Sequence, residues 1–309
     1  CLLPKDSRFR SDRRLRQGID AANRFPIRIV FGRIVAPALA GAALLAVTGC
    51  GFPVKYRTPQ RLARGYVIVL PGIEGASYLN ANIARGLVDG GVPSTIEVYD
   101  WTASVLLFPL NLRDYYRNQQ EARKVAGKIV DYQDAHPGRP VHIIGHSGGG
   151  GIAVMALEAL PPNHRVTSAI LLAPAIAPDY DLRRALRKTE YGIWNYYSPY
   201  DVGFLRAGTM LMGTIEGRHT SAAGAVGFTV PGVLDPEGRQ LYAARLHQQP
   251  YTRKMLESGH TGGHTGWAFP KFVAEWLAPL INSQIDARTR QAADIPASPG
   301  TAGARPGRR

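Results

Sequence analysis

Short runs of apolar residues, separated by longer stretches with helical spacing, make up the chain from about Gly65 onward. The first run, 66–70 (YVIVL), stops at a Pro-Gly pair, and similar runs predict strands at 95–99, 141–144, 168–172 and 191–197. Alternation of short buried strands with helices is typical of an α/β architecture. The pattern therefore predicts a mostly parallel sheet flanked by helices.

The stretches between these runs have the spacing of helices. Leu79, Ile83 and Leu87 stand four residues apart and share one helix face. A second, more polar helix is predicted over 113–135, ending before a His-Pro-Gly turn.

An apolar run of a different kind lies near the start of the chain. Residues 34–47 are apolar or small, follow three arginines, and fall short of the roughly 20 residues that a membrane span needs. The run ends in Val47-Thr48-Gly49-Cys50, which resembles a bacterial lipobox. This resemblance implies a lipoprotein signal peptide over 24–49, acylation of Cys50 and a place on a membrane of the bacterial cell envelope. An uncleaved anchor helix is the alternative.

These features divide the chain into segments. Residues 1–23 precede an ordinary signal-peptide start and are interpreted as an over-extended N-terminus, and 50–64 as a linker. The globular domain is predicted over 65–281. Residues 282–309 are rich in Ala, Pro, Gly, Thr and Arg without apolar periodicity, which predicts a disordered tail.

The net charge of +14 over 309 residues first indicates nucleic acid as a partner. Residues 1–49 carry nine Lys/Arg against three Asp/Glu, and residues 282–309 carry five against two, which leaves only +5 on the body. The body has no nucleic-acid-binding motif, so a nucleic-acid partner is not favoured. The two cysteines are Cys1 and Cys50; with one removed and the other acylated, the mature chain has no disulfide.

The most informative motif is Gly145-His146-Ser147-Gly148-Gly149, which runs from the strand at 141–144 directly into an apolar helix. A serine in this turn sits on a tight bend that neighbouring glycines allow, with its Oγ at the carboxyl edge of the sheet. The start of the helix favours a developing negative charge. A phosphate-binding glycine turn is disfavoured because neither G-x-x-x-x-G-K-[ST] nor a complete G-x-G-x-x-G is present.

The order of strand, G-x-S-x-G and helix resembles that of the α/β-hydrolase superfamily, and the likeness extends over about Leu62 to Ile281. It implies a compact α/β-hydrolase fold with a mostly parallel sheet of about six strands flanked by helices. Little sequence precedes Tyr66 that could form the two leading strands of larger members. The resemblance also implies the chain order nucleophile, acid, histidine, with neither a cofactor nor a metal.

Three aspartates downstream of Ser147 could be the acid. Asp201 follows the strand at 191–197 in a short turn, where the superfamily usually places its acid. Asp179 and Asp181 precede a short helical stretch and look more like carboxylates of its first turn. Asp201 is favoured.

Two histidines, His260 and His264, could be the base. In the superfamily this histidine is followed shortly by a proline and an amphipathic helix, and His264, six residues before Pro270, fits that spacing better. His260 is then a loop-packing or substrate-side residue. A zinc site of the two histidines is disfavoured, because Gly262-Gly263 opposes a helix and the glutamate of H-E-x-x-H is missing.

The resemblance also implies an oxyanion hole from the backbone N–H of Gly148 and, by likeness to the H-G-x loop of esterases, of Ile73. Pro71 stands where that loop has histidine. The whole pattern implies a membrane-anchored serine hydrolase, esterase- or lipase-like, that cleaves a small-molecule or lipid ester through an acyl-enzyme. An acyltransferase or thioesterase would use the same serine. The alternative of another class is a non-catalytic lipoprotein that binds a ligand or acts as a scaffold on the same fold.

Overall fold

A computed structural model describes residues 56–103, 108–201 and 213–293. The predicted N-terminal segment 1–23, the signal peptide 24–49 and Cys50 lie outside these residues, as does the end of the chain from 294. None of the helices in the described ranges is both long and apolar enough to cross a bilayer.

A six-stranded sheet forms the centre of the domain. Its strands are β1 (Tyr66–Leu70), β2 (Thr95–Val98), β3 (Val141–His146), β4 (Ser168–Leu172), β5 (Ile193–Tyr197) and β6 (Leu246–Pro250). They lie in the order β2-β1-β3-β4-β5-β6, and every neighbouring pair is parallel. The predicted fold class and the number of strands are both confirmed.

Helices connect and cover these strands. They are α1 (Pro59–Leu62), α2 (Tyr78–Asp89), α3 (Phe108–Arg113), α4 (Tyr115–Ala135), α5 (Gly148–Ala159), α6 (Arg183–Leu186), α7 (Ala223–Val226), α8 (Pro236–Arg245), α9 (Pro270–Phe272) and α10 (Ala278–Ala293). Turns of 3-10 helix occur at Arg253–Ser258 and His264–Ala268, and a π turn at Val273–Leu277 joins α9 to α10.

The continuous apolar runs found in the sequence are the strands that are buried on both faces. All residues of β1, β3 and β4 are buried, which requires a layer of helices on each side of the sheet. One group of helices pairs α2 with α9 and the π turn, and another packs α4 on α5. Helix α5 is buried along nearly its whole length, in keeping with its apolar sequence.

The parallel register places the carboxyl ends of the strands at one edge. Tyr66 pairs with Thr95 on one side and with Val141 on the other, so these three strands start level. The residues that directly follow the strands therefore meet at the opposite edge, which is where ligands bind in open parallel sheets.

Two segment boundaries differ from the sequence expectation. The linker predicted over 50–64 is part of the domain from Tyr56, which is buried and whose carbonyl accepts a hydrogen bond from Thr95 Oγ1 (3.1 Å). The tail predicted from 282 is helical to Ala293. Gln284 in that helix is buried and accepts a hydrogen bond from Ser168 Oγ (2.6 Å), so the helix is fixed by contacts that its composition does not reveal.

Candidate active site

Ser147 lies between the end of β3 and the start of α5, in a strained backbone conformation. Its φ of 54° and ψ of −120° are rare for a residue with a side chain. Hydrogen bonds hold this backbone in place: the N–H of Ser147 donates to Leu172 O (2.9 Å), and its carbonyl accepts from the N–H groups of Gly150 (3.0 Å) and Ala175 (2.9 Å). Such strain persists only where the surroundings enforce it, and it is concentrated at functional sites.

The glycines around Ser147 let the turn pack tightly against the neighbouring strand. A Cβ at Gly149 would lie 2.3 Å from Leu70 O and 2.4 Å from Pro71 O, and one at Gly145 would lie 2.4 Å from Gly149 O. These are contacts with backbone atoms, which cannot move aside as a flexible side chain can. The absence of side chains here brings the loop after β1 directly beside Ser147.

Asp201 and His264 form a hydrogen-bonded pair. His264 Nδ1 lies 2.5 Å from Asp201 Oδ2, and both side chains are almost fully buried. Burial acts to lower the pKa of His264, but the charges of Asp201 and Glu74 outweigh it, so the pKa of His264 is raised. With Nδ1 donating to the carboxylate, Nε2 is the nitrogen that can accept a proton from a nucleophile.

His146 connects the turn at Ser147 to the loop that carries His264. Its Nε2 lies 3.2 Å from the backbone carbonyl of His264 and donates to it, since a carbonyl can only accept. The two imidazole rings are 4.9 Å apart between centroids. Because Ser147 is the next residue after His146, these contacts bring His264 into the neighbourhood of the serine. Burial lowers the pKa of His146 to about 3, so this ring is neutral at ordinary pH.

The other candidates for acid and base lie elsewhere. Asp179 forms a bidentate ion pair with Arg218, and Asp181 one with Arg183, near the surface. His260 is fully buried, and its Nδ1 accepts a hydrogen bond from the N–H of Gly262 (2.9 Å). Burial also lowers the pKa of His260 to about 4. The structure therefore brings His264, and not His260, against Asp201.

The loop after β1 faces Gly148, the residue that follows the serine. A Cβ at Gly148 would lie 2.9 Å from Ile73 Cγ2, so the two expected oxyanion donors are adjacent residues in space. The carbonyl of Ile73 accepts a hydrogen bond from Asn111 Nδ2 (3.0 Å), and Pro71 O accepts one from Trp101 Nε1 (2.7 Å). The supporting roles of Asn111 and Trp101 were not found by sequence reasoning, because both contacts join segments about 30 to 40 residues apart.

Glu74 is a further, largely buried carboxyl group that the sequence reasoning missed. Its Oε1 lies 3.5 Å from Asn80 Nδ2 and 4.0 Å from His146 Nδ1. Burial raises the pKa of Glu74, against the opposing effect of backbone hydrogen bonds and of His264. Within the described residues, no group of three His, Cys, Asp or Glu side chains could hold a metal ion.

The all-parallel six-stranded sheet, with a serine turn after β3 and an Asp-His pair on the loops beyond β5 and β6, defines an α/β-hydrolase fold. Residues 111–196 match the family described as "alpha/beta hydrolase fold". A comparison with curated proteins finds no match.

Among solved structures, the chain is similar to a dienelactone hydrolase-like promiscuous phosphotriesterase from metagenomic libraries, with 15% identity, 72% of this chain and 87% of that chain covered, and a TM-score of 0.44. A putative aryl esterase from Burkholderia cenocepacia has 15% identity, with 73% and 92% covered and a TM-score of 0.39. A thermostable esterase from Pseudomonas putida has 18% identity, with 76% of each chain covered and a TM-score of 0.33.

Proposed function

We propose that this protein is a serine hydrolase that cleaves carboxylic esters through an acyl-enzyme, with Ser147 as nucleophile, His264 as base and Asp201 as its orienting acid. The observation that carries the proposal is the 2.5 Å contact between His264 Nδ1 and the buried carboxylate of Asp201, next to a serine in a strained strand-to-helix turn. A nucleophile, a base and a group that orients the base are the parts that acyl transfer needs.

The reaction follows from these placements. Ser147 Oγ attacks the ester carbonyl while its proton passes to His264 Nε2, and Asp201 stabilises the imidazolium that forms. The carbonyl oxygen becomes negative, and the backbone N–H groups of Gly148 and Ile73 donate hydrogen bonds to it. Collapse of the tetrahedral intermediate breaks the ester C–O bond, and the leaving alcohol takes the proton from His264. Water then attacks the acyl-enzyme while His264 takes one of its protons. Collapse of this second tetrahedral intermediate breaks the bond to Ser147 Oγ, which takes the proton back from His264, and the acid is released.

A comparison of serine variants tests this function. The parent should hydrolyse short-chain p-nitrophenyl esters and react with a fluorophosphonate probe, and Ser147→Ala should lose both properties. Ser283→Ala is the matched control, because Ser283 is an exposed serine on α10 whose hydroxyl bonds only within its own helix. Equal ester hydrolysis by the parent and by Ser147→Ala would disprove the assignment.

We further propose that the protein is held on a bacterial membrane by a lipid on Cys50, on the strength of the Val47-Thr48-Gly49-Cys50 pattern. Labelling of growing cells with an alkyne analogue of palmitate should mark the parent and leave Cys50→Ala unmarked. Equal labelling, or equal recovery of both proteins in the membrane fraction, would contradict the proposed anchor.

The position of Tyr56 gives this anchor a direction. Its carbonyl accepts a hydrogen bond from Thr95, the first residue of β2, which is level with Val141, the first residue of β3. Ser147 lies six residues beyond Val141, or about 20 Å at about 3.3 Å per residue. The six residues from Cys50 to Tyr56 extend by at most about 20 Å. A lipid on Cys50 would thus join the domain at Tyr56, which lies beside the first residues of β1, β2 and β3.

A further inference from the structure

Two loops meet where Asp201 contacts His264. The acid turn comprises residues 198–201, directly after β5. The histidine loop comprises residues 259–264, from the end of the first 3-10 turn to the first residue of the second. We propose that Ser198 and His260 are positioning residues: Ser198 fastens the acid turn to the histidine loop, His260 fixes the shape of the histidine loop, and together they hold Asp201 against His264. The kinetic consequences of this proposal rest on the proposed function, whereas its structural consequences do not.

Ser198 joins the acid turn to the histidine loop through its hydroxyl group. The side chain is fully buried, and Oγ donates a hydrogen bond of 2.6 Å to the carbonyl of Gly262. The same oxygen accepts from the N–H of Tyr200 (3.2 Å), and the carbonyl of Ser198 accepts from the N–H of Asp201 (3.1 Å). One residue therefore shapes the turn that carries the acid and binds the loop that carries the base.

His260 organises the histidine loop from within. Its Nδ1 accepts the N–H of Gly262, and its carbonyl accepts a hydrogen bond from the Tyr251 hydroxyl (3.1 Å). The ring stands perpendicular to Trp267 with centroids 4.0 Å apart, and a Cβ at Gly266 would lie 2.3 Å from Nδ1. The imidazole thus lies against both ends of the segment that contains His264.

Gly262 is the residue on which both sets of contacts converge. Its N–H donates a hydrogen bond to His260 Nδ1, and its carbonyl accepts one from Ser198 Oγ. Its φ of +92° is a conformation that favours glycine. A Cβ at this position would lie 3.3 Å from the rings of both Tyr200 and Tyr251. The turn at Gly262 is therefore fixed from both loops, two residues before His264.

The reason for such fastening lies in the separation of the two catalytic partners. Asp201 and His264 are 63 residues apart in the chain, and both lie on loops outside the sheet. A displacement of about 1 Å in a catalytic group can lower a rate by about 100-fold. Contacts that fix both loops through Gly262 restrict such displacement.

The first experiment removes the hydroxyl group. Ser198→Ala should lower kcat for a p-nitrophenyl ester by about 10- to 100-fold with KM unchanged. The apparent pKa on the acid limb of the pH–rate profile should also fall, because a displaced Asp201 stabilises the imidazolium of His264 less. Ser198→Thr keeps the hydroxyl and should recover most of kcat. Ser168→Ala is the matched control: it removes another fully buried hydroxyl that makes a 2.6 Å hydrogen bond, and it should leave kcat and the acid limb unchanged.

The second experiment separates the hydrogen bond of His260 from its packing. His260→Asn keeps an acceptor near the position of Nδ1, whereas His260→Leu keeps apolar bulk and leaves the N–H of Gly262 unpaired. If His260 positions the loop, His260→Leu should lose several-fold more kcat than His260→Asn. If it contributes packing alone, His260→Asn should be the more damaged of the two in both kcat and thermal stability.

An NMR measurement that does not depend on catalysis tests whether Ser198 holds Asp201 against His264. The proton that His264 Nδ1 shares with Asp201 should give a low-field NMR signal in the parent and in Ser168→Ala, and Ser198→Ala should broaden or lose it. A folded Ser198→Ala with the kcat, the acid limb and the low-field signal of the parent would overturn the proposal. If the parent hydrolyses no ester, the proposed function fails, and the NMR signal still decides whether Ser198 holds the pair.

Discussion

Replacing Ser147 with glycine should abolish ester hydrolysis and at the same time stabilise the fold. Ser147 is held at φ 54° and ψ −120° by hydrogen bonds with three other backbone positions. A residue with a Cβ in such a sparsely populated region costs on the order of 1–3 kcal/mol, and glycine, which lacks the Cβ, does not. The proposed nucleophile therefore occupies a position where glycine would give a more stable fold.

The expected size of the effect follows from two opposing contributions. Relief of strain favours Ser147→Gly by about 1–3 kcal/mol, and the larger conformational entropy of glycine in the unfolded chain opposes it by about 0.5–1 kcal/mol. The net gain in the free energy of unfolding is about 1 kcal/mol, or a rise in Tm of about 2–4 °C for a domain of this size.

Comparison of Ser147→Gly with Ser147→Ala separates the effect of backbone strain from the loss of the hydroxyl group. Ser147→Ala loses the hydroxyl but keeps the Cβ, so it should be as inactive as Ser147→Gly and less stable than it. Gly127 is the internal control: it lies exposed in α4, a Cβ there meets nothing within 4 Å, and Gly127→Ala should stabilise by about 1 kcal/mol. Urea unfolding of the three variants should therefore rank glycine above alanine at 147 and alanine above glycine at 127. The same ranking at both positions would refute the argument that Ser147 is strained.

Three further predictions concern charge and close packing. Asp201→Asn should lower kcat by on the order of 10⁴-fold. The acid limb of the pH–rate profile should also move to lower pH, because the negative charge that raises the pKa of His264 is gone. An acid limb at the parental pH would contradict the pairing of His264 with Asp201. Burial lowers the pKa of His142 from 6.5 to about 3, so between these values the unfolded chain binds a proton that the folded chain does not, and acid should destabilise the fold there. His142→Leu should flatten that part of the curve of unfolding free energy against pH, and a curve as steep as that of the parent would count against the buried neutral imidazole. Gly149→Ala, whose Cβ would meet Leu70 O at 2.3 Å, should cost about 3 kcal/mol or more in thermal unfolding, and a parental Tm would show that the contact can relax.

Local sequence patterns were sufficient for the central strands and the serine turn. The strands β1, β3 and β4 are largely apolar because helices cover both of their faces, so their burial is visible in the sequence itself. The turn at Ser147 is visible for a related reason. Tight packing against Leu70 and Pro71 leaves no room for a side chain at position 149, so the residue there is glycine and the motif can be recognised in the sequence.

Elements at the margin of the fold left no such pattern. The strand β6 reads LHQQP and is only partly buried, so no apolar run marks it, and its pairing with β5 alone makes it a strand. The helix α10 continues to Ala293 through contacts of Gln284 and Arg288 with distant parts of the chain, although the composition of that segment indicates a tail.

By itself the sequence determined the fold class, the buried strands at the centre of the sheet and the turn that presents Ser147, because each of these depends on burial or on close packing over a few neighbouring residues. Only the tertiary structure decided which histidine meets the acid. His260 and His264 stand four residues apart among glycines, and either could be placed near a carboxylate by local criteria. The turn at Gly262, held by Ser198 from the other loop, directs His264 toward Asp201 and His260 into the core. Contacts of this kind join residues about 60 positions apart, and no periodicity along the chain can record them.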